Sequence, residues 1–152
     1  MISPWLIAAL VGGIIIVGLA VYAGKLLARL KLQTQRQQGA IAQRNERILE
    51  SIRTIAMAMR EDQCNLSEGA IRLANLLNAL QFTQPKEFAG EYPGLYDLYE
   101  RVREMPTHDA RKQYKRNEIM RMDLQRAGFE QELEAQIKIE VTRLASLKLP
   151  GR

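Results

Sequence analysis

Few side chains in this sequence could carry out nucleophilic or acid–base chemistry. The chain has one histidine, His108, and one cysteine, Cys64, and a Cys–His catalytic pair would require the two to meet in the folded protein. Asp109 and Glu104 are acids near His108, but Asp109 is its direct neighbour, and adjacent side chains do not face each other on a helix. A small hydrolase or transferase that uses His108 is therefore the alternative hypothesis, and we do not expect an enzyme.

Sequence patterns that bind metals and cofactors are also missing. There is no second histidine, no glycine-rich phosphate loop, no nucleophile elbow and no His-Glu-x-x-His pattern. We expect no metal and no cofactor. A single cysteine cannot form an internal disulfide, which agrees with a reducing, cytoplasmic compartment.

A cluster of cations lies between residues 111 and 121. Its members are Arg111, Lys112, Lys115, Arg116 and Arg121. Glu118 is the one acid among them, whereas Glu130, Glu132, Glu134 and Glu140 follow on the same predicted helix, so we expect a dipolar charge distribution. Nucleic-acid binding is not expected, because Tyr114 is the one aromatic residue in the cluster. A solvated helix face is the main explanation, and an acidic protein partner or lipid headgroups are the alternatives.

The N-terminal part of the chain resembles a membrane anchor. The first charged side chain is Lys25, and the preceding run would be roughly 36 Å long as a helix, enough to cross a hydrocarbon core of about 30 Å. Trp5 and Tyr22 lie near its ends, where their rings favour the headgroup level. A cleaved secretory signal is the alternative, but nothing basic precedes the run, and it is longer than the usual apolar core of about 7 to 15 residues. We predict a transmembrane anchor over residues 1–27.

The charges that flank this run predict its orientation. Residues 25–44 contain no acid, and their cations are Lys25, Arg29, Lys31, Arg36 and Arg44. Because loops rich in Lys and Arg stay in the cytoplasm, we expect a periplasmic N-terminus and a cytoplasmic C-terminal domain.

Small residues within the predicted anchor indicate a possible packing face. Ala9, Gly13, Ala20 and Gly24 fall on one narrow strip of a helix, and such strips let a second helix approach closely. Self-association or docking on a partner helix is one explanation of this small-residue strip. The other is that small residues are simply common in membrane-spanning helices.

Residues 28–60 are predicted to continue as a helical stalk, since Gly39 is the one helix breaker among good helix formers. The apolar residues of its second half have the spacing of a coiled-coil seam, with Asn45 at one seam position. These residues are Ile41, Ile48, Ile52, Ile55 and Met59. The alternative is that the same face packs on the protein's own domain, since Leu49, Ala56 and Met57 widen it.

Residues 61–149 are predicted to form a small helical domain. Asn65 is placed to cap a helix, with Glu68 as the partner of a capping box, and the helix has an apolar face from Leu66 to Leu80. Residues 81–94 are predicted to be a loop packed by its own aromatic side chains. Pro93 is suited to the first turn of the next helix, which Met105-Pro106 should end.

The last part of this domain is predicted to be a short helix that continues into a long one. Thr107 is placed as its N-cap, and Gly128 is a soft point within it. Leu149-Pro150-Gly151 should close the long helix. No segment alternates with a period of two residues, so we expect an all-α protein.

Several short motifs resemble an uncharacterised bacterial family catalogued as domain of unknown function 2489. In the first half these are Glu50-Ser51-Ile52-Arg53, Gln63-Cys64-Asn65-Leu66-Ser67-Glu68 and Ile71-Arg72-Leu73. In the second half they are Tyr92-Pro93-Gly94-Leu95, Leu98-Tyr99, Met105-Pro106-Thr107-His108, Ala110-Arg111-Lys112 and Arg121-Met122. The resemblance implies a small inner-membrane protein with a helical cytoplasmic domain. It supplies no catalytic or binding residues.

The leading functional hypothesis is a membrane-tethered protein-interaction module or accessory subunit. Its contacts would be the lipid bilayer and a protein partner or a second copy of the chain. We expect the partner to bind the cations of residues 111–121 and the region of Leu95, Tyr96 and Tyr99.

Overall fold

The computed structural model describes residues 3–149, with only the backbone of His108, and contains five helices and no strand in that range. The helices are α1 (Pro4–Arg60), α2 (Leu66–Ala79), α3 (Pro93–Val102), α4 (His108–Arg111) and α5 (Arg116–Ala145). The prediction of an all-α protein is confirmed. The chain divides into two compact units, one ending at Gln43 and the other starting at Arg44.

The first unit contains the N-terminal part of α1. None of the described residues from 3 to 40 is buried. Gly39 does not interrupt the helix, and the hydroxyl of Thr34 donates to the carbonyl of Leu30 one turn earlier. By length and composition this part of α1 is a candidate membrane span.

The C-terminal part of α1 belongs to the second unit and packs into its core. Leu49, Ile52, Ala56 and Met59 are fully buried, and the prediction that this face packs on the protein's own domain is confirmed. The coiled-coil interpretation is not supported, because its seam residues Ile52 and Met59 are buried in the core of the protein's own domain. The compact unit therefore begins inside the segment that the sequence analysis assigned to the stalk.

Helix α2 begins at the predicted cap. The side-chain oxygen of Asn65 accepts hydrogen bonds from the backbone N–H groups of Ser67 (3.0 Å) and Glu68 (3.3 Å). The capping box does not form, because the Glu68 carboxylate instead accepts a hydrogen bond from Arg72, one turn further along. The predicted apolar face is confirmed, with Ala70, Leu73, Leu77 and Leu80 buried.

The loop between α2 and α3 is packed by its aromatic side chains, as predicted. The ring centroids of Phe82 and Phe88 are 6.0 Å apart, and those of Phe88 and Tyr92 are 6.5 Å apart. Pro93 occupies the first turn of α3, where its missing N–H costs nothing. Leu95, Leu98 and Val102 form the buried face of this helix.

The last two helices differ from the prediction at their ends. Thr107 is the N-cap residue of α4, which is a single turn, but its side chain makes no capping hydrogen bond. Helix α5 runs through Gly128 without a break and ends at Ala145. Pro150 and Gly151, which were predicted to close it, lie outside the described residues.

The core of the second unit lies where α2, α3, α5 and the end of α1 meet. The inward face of α5 carries Leu133, Ile137, Val141 and Leu144, all buried. Ile119, Met122 and Phe129, nearer its start, are only half-buried. The first turns of α5 are therefore the most exposed part of this bundle.

Candidate interaction surface

Two glutamates of α5 bind the N-termini of other helices. Glu140 is 1% exposed, and its two carboxylate oxygens accept hydrogen bonds from the backbone N–H groups of Gly94 (2.9 Å) and Leu95 (2.8 Å) at the start of α3. Glu130 accepts hydrogen bonds from the backbone N–H and the hydroxyl of Ser67 at the start of α2. Unpaired N–H groups and the helix dipole make these positions favourable for carboxylates.

These contacts correct the predicted charge distribution. Glu140 is not a surface charge, and the carboxylates of Glu132 and Glu134 form ion pairs with Arg101 (2.9 Å) and Lys138 (2.9 Å). The dipolar pattern that the sequence suggested is therefore largely neutralised at this end of α5. The capping roles of Glu130 and Glu140 were not predicted, because partners in different helices leave no pattern of residue spacing in the sequence.

The cation cluster divides into paired and unpaired members. Arg111 binds Asp123 (2.6 Å), which lowers the pKa of that carboxyl group chiefly through this hydrogen bond, and Lys112 binds Asp109 (2.6 Å). The remaining cations are Lys115, Arg116 and Arg121, all exposed. Within residues 3–149, none of these three side chains has an ion-pair partner.

Exposed apolar side chains accompany these unpaired cations. Met120 is 59% exposed and Leu124 is 68% exposed, and Tyr114 just before α5 is also exposed. Met120 and Leu124 were not predicted from the sequence to be functional residues. Their spacing of one helical turn, beside the cations Arg116 and Arg121, was the signal that could have identified them.

A second surface lies between α2 and α3, and we call it the tyrosine surface. It consists of Asn75, Asn78, Tyr96, Tyr99 and Arg103. The hydroxyls of Tyr96 and Tyr99 donate to the side-chain oxygens of Asn78 (2.7 Å) and Asn75 (3.4 Å), so the two helices are antiparallel. The guanidinium carbon of Arg103 lies 5.7 Å from the centre of the Tyr99 ring.

The predicted partner region of Leu95, Tyr96 and Tyr99 needs one correction. Leu95 is fully buried, so it packs the core and cannot contact a partner. Tyr96 and Tyr99 are half-buried, which leaves part of each ring accessible. Burial raises the pKa of Tyr96 to about 12, because the apolar surroundings disfavour a phenolate.

The residues considered for catalysis lie in several places. His108 is the first residue of α4, and its neighbour Asp109 pairs with Lys112. Glu104 lies before this helix, and its carboxylate is 3.8 Å from the guanidinium of Arg103. Cys64 is in the turn between α1 and α2, and its thiol donates to the carbonyl of Asn65. The side chain of His108 lies outside the described part of the chain, so the hypothesis of a hydrolase or transferase that uses His108 stays a prediction.

A cleft of about 320 Å³ lies beside Cys64. Its lining residues are Met59, Asp62, Cys64, Leu66, Ala127, Glu130, Gln131 and Glu134. Lys138 binds both Asp62 (3.3 Å) and Glu134, so the acids at this cleft already have a cation. Among the described residues, no group of His, Cys, Asp and Glu could hold a metal ion.

The small-residue strip of the predicted anchor lies on the exposed surface of α1. Ala9, Gly13, Ala20 and Gly24 are all exposed, and an added methyl group at Gly13 or Gly24 would meet no atom of the chain within 4 Å. The strip is therefore open to another helix. Its self-association stays a prediction.

Comparisons with known proteins agree with the resemblance seen in the motifs. A family model described as "Protein of unknown function (DUF2489)" matches residues 16–144. A protein of Haemophilus influenzae named "Uncharacterized protein" is 42% identical over 127 residues, which cover 84% of each chain. No solved structure matches. Since the family model covers most of the sequence, this chain belongs to the DUF2489 family of proteins of unknown function.

Proposed function

We propose that this protein is a single-pass protein of the bacterial inner membrane whose helical domain is a protein-interaction module or accessory subunit, without catalytic activity. The observation that carries the proposal is the exposed apolar surface of α1. Leu6, Leu10 and Val17 are each more than 60% exposed, and no described residue covers them. Burying an aliphatic side chain is worth about 1.5–3 kcal/mol, and a bilayer core would provide this burial for the whole segment.

Charge supports a cytoplasmic position for the helical domain. The cations from Lys25 to Arg44 are all exposed, and no acidic residue lies among them. The positive-inside rule then puts the N-terminus in the periplasm. A reporter enzyme fused after Arg152 should be active in the cytoplasm, and activity found only in the periplasm would contradict this orientation.

Membrane anchoring can be tested with arginine substitutions in α1. Each arginine near the centre of a spanning helix costs about 2.5–3.5 kcal/mol on insertion. We expect the wild-type protein to stay in the membrane pellet after an alkaline wash, and the double variant Ile15→Arg/Ile16→Arg to move to the supernatant. The matched control is Gln33→Arg/Gln37→Arg, which adds the same charge outside the predicted anchor and should stay in the pellet. Wild-type protein in the supernatant without detergent would contradict the proposal.

The tyrosine surface supports a role in binding a partner protein. Tyrosine and arginine are enriched among the residues that dominate binding energy at interfaces. Tyr99 and Arg103 already pack against each other, so little side-chain freedom would be lost on binding. We propose this surface as the contact site for the partner.

Crosslinking in a mild detergent, followed by mass spectrometry, tests this contact. The full-length protein should yield a stable heteromeric complex, and the variant Tyr99→Ala/Arg103→Glu should lose it. Tyr114→Ala removes an exposed tyrosine elsewhere and serves as the control. An unchanged complex with the double variant would exclude the tyrosine surface, and recovery of the protein alone would contradict an accessory role.

A further inference from the structure

One face of α5 combines apolar and cationic side chains in a way that the bundle itself does not need. We call it the outer face of α5, and it consists of Arg116, Met120, Arg121 and Leu124. All four are exposed, with Leu124 the most exposed of the apolar pair at 68%. Met120 and Leu124 lie one turn apart, so their exposed side chains form one small apolar strip.

The order of these residues around the helix is that of an interfacial helix. At about 100° per residue, Met120 and Leu124 lie in the middle of an arc of about 140°, with Arg116 at one edge and Arg121 at the other. Long cationic side chains at the edges of an apolar strip can reach headgroups while the strip enters the acyl boundary.

The charges near this face are suited to an anionic surface. Within residues 116–124 no carboxylate lies in the arc, since Glu118 is outside it and accepts a hydrogen bond from the backbone N–H of Lys115. Asp123, also outside it, is bound by Arg111 and lies 3.8 Å from Arg126. Lys115 adds an exposed cation directly before the helix.

We propose that the outer face of α5 binds anionic phospholipid at the membrane surface. This inference rests on the proposed function, which puts the domain beside the cytoplasmic leaflet. Residues 28–43 between the predicted anchor and the domain can span no more than about 60 Å even when fully extended, so the domain stays close to lipid. Binding of an interfacial helix scales with its buried apolar area plus its attraction to anionic lipid, whereas a stable protein interface needs about 800 Å² on each partner.

Quenching of tryptophan fluorescence by lipids with brominated acyl chains can test the proposal in the full-length protein. The native Trp5 is the one tryptophan of the sequence, and its quenching in reconstituted vesicles reports insertion of the anchor. The variant Trp5→Phe/Leu124→Trp then reports contact of the outer face with lipid. We expect quenching at position 124 in vesicles with about one-third phosphatidylglycerol and little in pure phosphatidylcholine.

Changes in salt concentration and substitutions of the arginines measure the electrostatic contribution to lipid binding. Raising salt from about 0.1 M to about 1 M shortens the Debye length from about 10 Å to about 3 Å and should reduce the quenching at position 124. Adding Arg116→Gln/Arg121→Gln should weaken docking about twenty-five-fold, since each cation near an anionic leaflet contributes about fivefold. The control pair Arg47→Gln/Lys148→Gln, also exposed, should leave quenching unchanged. Unchanged thermal unfolding of both pairs excludes loss of the fold.

The possible results separate this inference from the proposed function. Quenching of Trp5 without quenching at position 124 in either lipid would overturn the inference of lipid binding but not the membrane anchor. An acidic protein would then be the partner that the outer face of α5 binds. Absence of Trp5 quenching would overturn the anchor itself. Equal quenching at position 124 in both lipids would contradict the proposal that the outer face of α5 prefers anionic phospholipid.

Discussion

Glu140 holds the first turn of α3 in place from a different helix. Its carboxylate accepts two backbone N–H bonds and a third from the side chain of Gln136 (3.1 Å). Pro93 has no N–H, so the N–H groups of Gly94 and Leu95 are the ones that need acceptors at this end. A buried carboxylate with three donors is satisfied, whereas one without them would be strongly destabilising.

We predict that Glu140→Gln lowers the free energy of unfolding by about 1–3 kcal/mol. The amide has one acceptor oxygen, so one of the two backbone N–H groups loses its partner and faces an NH₂ group. Urea denaturation of the full-length protein in detergent measures the change. Glu104→Gln is the control, because its side chain is 86% exposed, and an equal effect of both substitutions would contradict the prediction.

Because of Tyr96, we expect the free energy of unfolding to fall at high pH. The pKa of Tyr96 in the folded protein is about 12, above the ordinary value of 10.0, so its contribution is fully present below pH 10. As the pH rises toward the folded pKa, the unfolded chain loses this proton first, and stability falls.

The variant Tyr96→Phe should flatten this dependence. The midpoint of urea unfolding, compared at about pH 9 and about pH 11, should fall less for Tyr96→Phe than for the wild type. Tyr114→Phe, at an exposed position, is the control. A wild-type midpoint that does not change over this range would contradict the assignment.

At the scale of the elements, the C-terminal part of α1 is what joins the helical domain to the rest of the chain. Asn45 is buried, and its amide donates to the carbonyl of Gln81 (2.6 Å) and accepts from the N–H of the same residue (3.1 Å). Arg53 donates twice to the carbonyl of Leu147. This part of α1 therefore contacts the segments that follow both α2 and α5.

A chain that begins at Ile41 should be more stable than a chain that begins at Asn65. The longer chain keeps Leu49, Ile52, Ala56 and Met59, and losing large buried side chains costs about 2–5 kcal/mol each. Thermal unfolding followed by circular dichroism should show a cooperative transition at a higher temperature for the longer chain. Equal transition temperatures would show that the end of α1 is not part of the cooperative unit.

Local patterns predicted most of the helices correctly. The Asn65 cap and Pro93 marked helix starts, and the 3.6-residue period identified the buried faces of α2 and α3. The period could not decide whether Ile52 and Met59 face a second chain or their own domain, because both arrangements bury the same strip. Nor could it predict the contacts of Glu130 and Glu140, whose partners lie far away in the sequence.

Likewise, the candidate surfaces were only partly predictable. The cation cluster was visible in the sequence, but its pairing was not, because Asp123 reaches Arg111 across the turn between α4 and α5. Of the predicted partner region, Tyr96 and Tyr99 are half-buried, whereas Leu95 is fully buried. The three residues lie within about one helical turn, and this spacing alone did not separate the buried side of α3 from the partly accessible one.

At the scale of the whole molecule, the small-residue strip allows a test of self-association. If Ala9, Gly13, Ala20 and Gly24 form a helix–helix contact, Gly13→Ile should reduce crosslinked dimer several-fold, since close approach of two backbones requires the missing side chain. The control is Gly12→Ile, on a different face of the same helix. Unchanged crosslinking of Gly13→Ile would show that the strip has no packing role.

The two carboxylates of α5 also have a consequence for biosynthesis. Glu130 and Glu140 are translated after α2 and α3, and until they leave the ribosome the first turns of both helices lack these acceptors. The nascent domain therefore cannot complete its tertiary structure before α5 has been synthesised. A truncated product that lacks α5 would keep these N–H groups without their carboxylate acceptors, and we expect it to be less stable.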